Sequence, residues 1–273
     1  MKYIGIQGHT LKPQALTVAK EAYREVERQG ACPVFEEETA RALGLSPREV
    51  PVSSCIVIGG DGTILRGAVR AATQGIPMIG VNLGRLGFLS EVEPSELPHA
   101  IARLLAGDYM VEERMMLRGS VNGSAQHEWI ALNDFLVFKE CVSRVTEVEL
   151  RINGQVAGAY PCDGIIVSTP TGSTAYSLSA GGPVIAPTAR GILVTPISPH
   201  KMSARPIFAA ENDVIEIRTD GPNGLCSVSS DGIQHYENFR QGDVLTITRA
   251  NVTTKLIHFE GYNFFKLVRE KLF

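Results

Sequence analysis

The apolar positions of the chain follow two regimes. Up to about residue 110, short apolar runs alternate with segments of helical period. Tyr3–Gln7 reads as a buried strand, and Pro13–Arg28 as a helix with Ala15, Val18, Ala19, Ala22 and Val26 on one face. Pro33–Phe35 and Ser54–Ile58 read as strands, Ile64–Thr73 as a helix and Ile76–Val81 as a further buried strand. Ser95–Leu105 reads as a helix stopped by Gly107. This alternation predicts a Rossmann-like α/β domain, a parallel sheet covered on both faces. Ligands of such sheets bind beyond the carboxyl ends of the strands, where the loops Gly59–Thr63 and Asn82–Phe88 fall.

Beyond Met110 the period changes from helix to strand. Met116–Val121, Trp129–Phe138, Val145–Ile152, Gln155–Tyr160, Gly164–Ser168, Val214–Thr219 and Val244–Arg249 read as strands of a mostly antiparallel β domain. Val148–Ile152 alternates strictly, and Asn153-Gly154 marks a two-residue hairpin turn. Tyr262–Leu272 returns to helical spacing, with Phe265, Val268 and Leu272 in step. The expected division is an α/β domain over 1–110, a β-rich dinucleotide-binding domain over 111–258, and a segment 259–273 that packs back on the first.

Composition narrows the picture. The 273 residues include 44% apolar side chains, enough for a sizeable core. A net charge of −3 argues against a nucleic-acid partner, which needs a basic face. No run has the length of a membrane helix, and the start MKYIGIQGHT reads as a first strand, not a signal peptide. Cys32, Cys55, Cys141, Cys162 and Cys226 are scattered without metal spacing, which suits buried thiols in a reducing cytoplasm. His127, His200, His235 and His258 show no metal-ligand spacing either.

Chemistry concentrates in two glycine-rich turns. Cys55–Ile58 leads into Gly59-Gly60-Asp61-Gly62-Thr63, and a helical pattern follows at once. Backbone N–H groups in such a turn approach phosphates closely, and the helix adds its positive end. An acid among groups that favour anions suits phosphoryl transfer, with Asp61 accepting the proton of the attacking hydroxyl. The plainer alternative makes Asp61 the N-cap of that helix. The second turn, Ser168–Tyr176, follows Asp163-Gly164 and a buried strand and carries five Ser and Thr hydroxyls. These suit sugars and phosphates, or else cap their own loop. Two such turns in two domains suggest a ligand cleft. Asn133-Asp134 interrupts an apolar run; Asn offers a donor and an acceptor along one edge, as an adenine requires, while a bulge or strand end would also explain it.

Together and in this order, these segments resemble the NAD kinases over nearly the whole chain. Gly59–Thr63 matches the family's GGDGT motif, and Asn82–Leu89 is similar to its NxGxLGFL loop. Asn133-Asp134 matches an Asn-Glu/Asp pair, and Asp163-Gly164 with Ser168–Gly182 is similar to the DG…STPTGSTAYSLSAGGP signature. The resemblance implies transfer of the terminal phosphoryl group of ATP, or of another donor, to the 2′-hydroxyl of the adenosine ribose of NAD. Asp61 would be the proton acceptor, with Gly59, Gly60, Gly62 and Thr63 on the phosphates and Mg²⁺, or another divalent cation, carried by the nucleotide and not by a protein metal site. Asn133 and Asp134 would bind adenosine, Thr174, Ala175, Tyr176 and Ser179 would line the dinucleotide, and Phe88 would pack on it. Asp163 would contact NAD bound to a neighbouring subunit, since the family forms homodimers and homotetramers. Arg144 and Gln234 fall near family contact positions. Pro161 stands where some members carry Arg or Lys, so one family contact is missing. A diacylglycerol-type lipid kinase shares Gly59–Thr63 but does not need the Thr171–Tyr176 loop. A non-catalytic dinucleotide sensor has no need of Asp61.

Overall fold

The computed structural model describes residues 2–84, 87–140, 146–219 and 226–272. The chain divides into two compact units, one from Met1–Glu113 with Thr254–Phe273, the other from Arg114–Thr253.

Unit 1 begins with β1 (Tyr3–Gly8), α1 (Pro13–Arg28), β2 (Cys32–Phe35), α2 (Glu37–Ala42), β3 (Ser54–Gly59), α3 (Asp61–Thr73), β4 (Pro77–Asn82) and α4 (Leu97–Ala106). The strands are parallel in the order β2-β1-β3-β4. Alternation decides which helix each residue meets. Ile56 and Ile58 of β3 join Ile4, Ile6, Ile79 and Val81 in one core with α1 and α4. Val57 points the other way, against Gly67 of α3, where an added Cβ would sit 2.8 Å from a Val57 methyl. Both faces of the sheet are covered, which is why its strands read as continuous apolar runs.

β5 (Met110–Val121) leads into unit 2. There follow β6 (Glu128–Ala131), β7 (Asp134–Lys139), β8 (Thr146–Ile152), β9 (Gln155–Cys162), β10 (Gly164–Ser168), α5 (Tyr176–Ser179), β11 (Gly191–Ile197), β12 (Ile207–Ala210), β13 (Ile215–Thr219), β14 (Cys226–Ser230), β15 (Ile233–Phe239) and β16 (Val244–His258). One antiparallel sheet runs β12-β11-β10-β7-β14-β15. A second brings β16, β13, β8 and β9 together, also antiparallel. Phe135, Ile165, Ile192 and Val228 from the first share a core with Val148, Leu150, Ile217 and Leu245 from the second. The β8–β9 turn has Asn153 at φ 51° and Gly154 at φ 76°, the left-handed pair that a tight hairpin needs.

β16 outruns the expected Val244–Arg249. Its last residues pair in parallel with β4, Lys255 opposite Pro77 and Leu256 opposite Met78. α6 (Phe264–Leu272) then closes the described chain. Its apolar face differs from the expected one: Leu267 and Val268 are buried, while Phe265 and Leu272 are exposed. Cys162 and Cys226 are buried, but Cys32 and Cys55 are only partly so, and Cys141 lies outside the described residues. Among the described residues, no helix is long and apolar enough to cross a membrane.

Candidate active site

β3 ends at Gly59, and α3 starts at Asp61 with Gly60 as an extended N-cap residue (φ −92°, ψ 179°). The capping alternative for Asp61 is therefore corrected: Asp61 is the first helical residue and caps nothing, and the helix begins three residues before the expected Ile64. The first turn closes on Gly60 O, from Thr63 N at 2.9 Å and Ile64 N at 3.1 Å. The N–H groups of Asp61 and Gly62 have no helical acceptor, so they and the positive helix end favour a phosphate. Thr63 is buried, and its Oγ1 has no hydrogen-bond partner among the described residues.

Residues 87–90 fold directly against Asp61. Gly87 N donates to Ser90 Oγ at 2.9 Å, and a Cβ on Gly87 would stand 2.0 Å from Asp61 Oδ1. Only glycine lets the loop come this close to the carboxylate. Phe88 beside it meets Phe264 of α6 with ring centroids 6.2 Å apart, and Lys271 Nζ lies 5.2 Å from the Phe88 centroid. Solvent reaches Asp61, yet the surrounding protein removes part of its hydration and raises its pKa; the Lys271 charge pulls more weakly the other way. An upward shift makes a carboxylate a better proton acceptor near neutral pH.

In unit 2 the expected strand Trp129–Phe138 is broken into β6 and β7, with Leu132 and Asn133 between them. The Asp231 carboxylate breaks it. Oδ2 accepts from Leu132 N at 2.8 Å, and Oδ1 from Asn133 N at 2.8 Å and Asp134 N at 3.2 Å. Asp231 N returns a bond to Asp134 O at 3.0 Å. From the other side, Thr169 N donates to Asn133 O at 2.8 Å, and Thr169 Oγ1 to Leu132 O at 2.6 Å. Gly172 packs so tightly that a Cβ there would lie 2.2 Å from Asn133 O. The backbone of the Asn133-Asp134 pair is thus gripped on both sides. Burial, then the charge of Asp231, pushes the Asp134 carboxyl up to about 7. Burial also raises Asp231, against the three N–H donors that favour its charged form. Both carboxyls are thus held above the ordinary range, and the N–H donors favour the charged form on Asp231.

The turn after β10 stands at the same end of the sheet, where Asp134 pairs with Ser168. Thr174 Oγ1 donates to Thr171 O at 3.2 Å, and Ala175 N to Gly172 O at 2.9 Å. Thr174 and Ala175 are half-buried; Tyr176 and Ser179, on the short α5, are exposed. Asn133, Asp134 and the Thr174–Ser179 segment thus gather into one loop cluster. Asp163 does not join them: it precedes β10, at the far end of that strand, and pairs with Lys139 Nζ at 2.5 Å. Gln234 Nε2 donates to Ser227 Oγ at 3.1 Å, and Arg144 lies outside the described residues.

The family profile of the ATP-NAD kinase N-terminal domain matches residues 45–109, and that of the ATP-NAD kinase C-terminal domain residues 132–259. An NAD kinase of Symbiobacterium thermophilum is 41% identical over 96% of this chain and 95% of its own length. The chain belongs to the NAD kinase family. Another NAD kinase, from Moorella thermoacetica, is 40% identical over 100% of this chain and 89% of its own. The fold agrees: a yeast NADH kinase solved with NADH superposes with a TM-score of 0.88 at 22% identity, covering 100% of this chain and 87% of that one. An NAD kinase from Archaeoglobus fulgidus solved with ATP gives a TM-score of 0.76 at 23% identity, over 99% and 98%.

Within this NAD kinase chain, the sequence reading passed over two residues that the geometry brings to the motifs. Asp231, which the sequence reading did not single out, organises the Asn133-Asp134 backbone; its signal was an acid between Ser230 and Gly232 at a strand end. Lys271 carried no signal, since a lysine in a terminal amphipathic helix reads as a solvated charge. Trp129 also stacks on His235 (centroids 4.9 Å apart, planes at 12°), and His235 Nε2 meets Ser230 Oγ at 2.7 Å.

Proposed function

We propose that the protein transfers the terminal phosphoryl group of ATP to the 2′-hydroxyl of the adenosine ribose of NAD, giving NADP and ADP. The observation that carries this reading is a glycine-rich turn at a helix N-terminus whose first helical residue is a carboxylate, Asp61, that caps nothing. In the reaction, the ribose hydroxyl gives its proton to Asp61 as its oxygen bonds to the γ-phosphorus; the bond from that phosphorus to the bridging oxygen breaks, and ADP leaves. Asp61 then returns the proton to solvent. The N–H groups of Asp61 and Gly62 hold phosphate oxygens in this scheme, and Phe88 packs on the dinucleotide. In unit 2, Asn133 presents its amide to adenine and Asp134 to the adenosine ribose, beside Thr174, Ala175, Tyr176 and Ser179. Asp163 serves NAD of a neighbouring subunit in a homodimer or homotetramer, in keeping with its distance from the loop cluster of its own chain. The assembly works in the cytoplasm.

Mg²⁺ belongs to the same reading as a counter-ion of the donor phosphates. Among the described residues, no three His, Cys, Asp or Glu side chains converge on a metal site, so no step is assigned to a protein-bound ion.

The test is product analysis. The purified protein with NAD, ATP and Mg²⁺ should yield a product that an NADP-specific dehydrogenase cycles completely, with one new monoester signal in the phosphorus NMR spectrum. Asp61→Asn should lose about 10²–10⁴-fold in kcat while still binding NAD. A mixture of monoesters, a product inert to the dehydrogenase, or near wild-type turnover by the variant would overturn the reading.

A further inference from the structure

α6 is tied into unit 1 by contacts that a merely trailing segment does not need. Glu91 Oε1 accepts from Phe259 N at 2.7 Å, and its other oxygen lies 2.5 Å from Nδ1 of the buried His258. The His258 ring stacks on Tyr262 with centroids 3.6 Å apart, and the Arg103 guanidinium sits 4.5 Å from the centre of Phe259. These contacts fix the chain immediately before α6. The helix buries Leu267 and Val268 and sets Phe264 against Phe88. One turn beyond Val268, Lys271 is carried to the Phe88 face. Phe88 directly follows Gly87, whose backbone abuts the Asp61 carboxylate. Lys271 has no carboxylate within ion-pair distance among the described residues, and it is exposed.

An exposed ammonium whose charge acts on a proton-accepting carboxylate has a chemical use. Phosphoryl transfer brings several negative charges to the carboxylate, and a fixed cation there offsets the charge on the donor and on the transferred group. We propose that Lys271, delivered by the C-terminal helix, binds the polyphosphate of the phosphoryl donor next to Asp61. The ammonium lies over the Phe88 ring, 5.2 Å from its centroid, and from there it donates hydrogen bonds to phosphate oxygens. The raised pKa of Asp61, which Lys271 partly opposes, agrees with this closeness. The assignment rests on the phosphoryl-transfer reading above, but its binding test does not.

The 273-residue protein is compared with Lys271→Met, which keeps an unbranched side chain and removes the charge, with Lys271→Arg, which keeps the charge, and with Arg269→Gln as a control on the exposed side of α6. Lys271→Met should lower kcat/KM for the donor by about 10–100-fold while the KM for NAD stays within about twofold. Lys271→Arg should recover most of the loss, and Arg269→Gln should match wild type. Separately, inorganic tripolyphosphate is titrated by calorimetry into Asp61→Asn and into Asp61→Asn/Lys271→Met. The second protein should bind it at least about fivefold more weakly. Equal tripolyphosphate affinity, or equal losses toward both substrates, overturns the role of Lys271. Normal Lys271 behaviour in the binding assay combined with no NADP formation by wild type overturns the function and leaves the anion site standing.

Discussion

Removing the Asp231 carboxylate is expected to damage both stability and NAD recognition, through one small set of bonds. Its two oxygens take three backbone N–H groups at 2.8, 2.8 and 3.2 Å. A buried N–H left without an acceptor costs about 1–3 kcal/mol. Asp231 is half-buried, so water can replace part of the loss, and Asp231→Ala should cost about 2–5 kcal/mol in all. Part of that is the left-handed backbone at φ 48°, which Asp and Asn accept more readily than Ala. Asp231→Asn keeps one acceptor oxygen but turns an amide NH₂ toward at least one backbone N–H; a loss of about 1–3 kcal/mol follows. Relief of the repulsion with Asp134 offsets some of it. The assay pairs urea unfolding with steady-state kinetics. With the Leu132–Asp134 backbone loosened, KM for NAD should rise by about tenfold or more while the donor KM changes by less than about threefold. The apparent pKa of Asp134 should also fall, though not to the ordinary carboxylate range, because burial is its larger cause and remains. An Asp231→Asn protein with unchanged stability and unchanged KM for NAD would refute the idea that this carboxylate organises the site.

Asp134, pushed up to about 7 from the ordinary 3.8, binds its proton more tightly in the folded state, so its contribution to stability is present at low pH and is lost as pH rises from about 4 through 7. Asp134→Asn should flatten that window, and its stability relative to wild type should grow by about 2–3 kcal/mol between pH 5 and pH 8, read from urea midpoints at each pH; a constant difference would contradict the shift. Gly87→Ala should cost about 10²-fold or more in kcat with little change in the urea midpoint, because the new methyl displaces the Asp61 carboxylate and not a core side chain; wild-type kcat would show that the loop yields harmlessly. Chelation of divalent cations should abolish turnover, while equilibrium dialysis of the nucleotide-free protein finds no stoichiometric Mg²⁺ binding; a tightly bound equivalent of metal would point to a protein cage.

Local pattern alone was enough for the layered architecture and for the positions of the two glycine-rich turns. Apolar runs flanked by helical periods specify β3, α3 and β4, and strict alternation with Asn153-Gly154 specifies the β8–β9 hairpin, because both signals arise within a few residues of one another. Asp61 was legible for the same reason: a strand, a glycine turn and a helix start are adjacent in the chain. What escaped are relations between distant residues. The break between β6 and β7 cannot be read from Trp129–Phe138, since it is made by a carboxylate nearly a hundred positions later that satisfies three N–H groups a continuous ladder would otherwise have used. The elevated pKa of Asp134 is likewise a property of burial and of Asp231, and a lone Asp in sequence has neither. The apolar spacing in α6 fitted Phe265 and Leu272 as well as Leu267, and packing in unit 1 selected the face that brings Phe264 and Lys271 to Phe88. Short-range periodicity determines which elements form; long-range hydrogen bonds and burial decide which side chains become chemistry, because the free energy of both depends on neighbours that only the folded chain supplies.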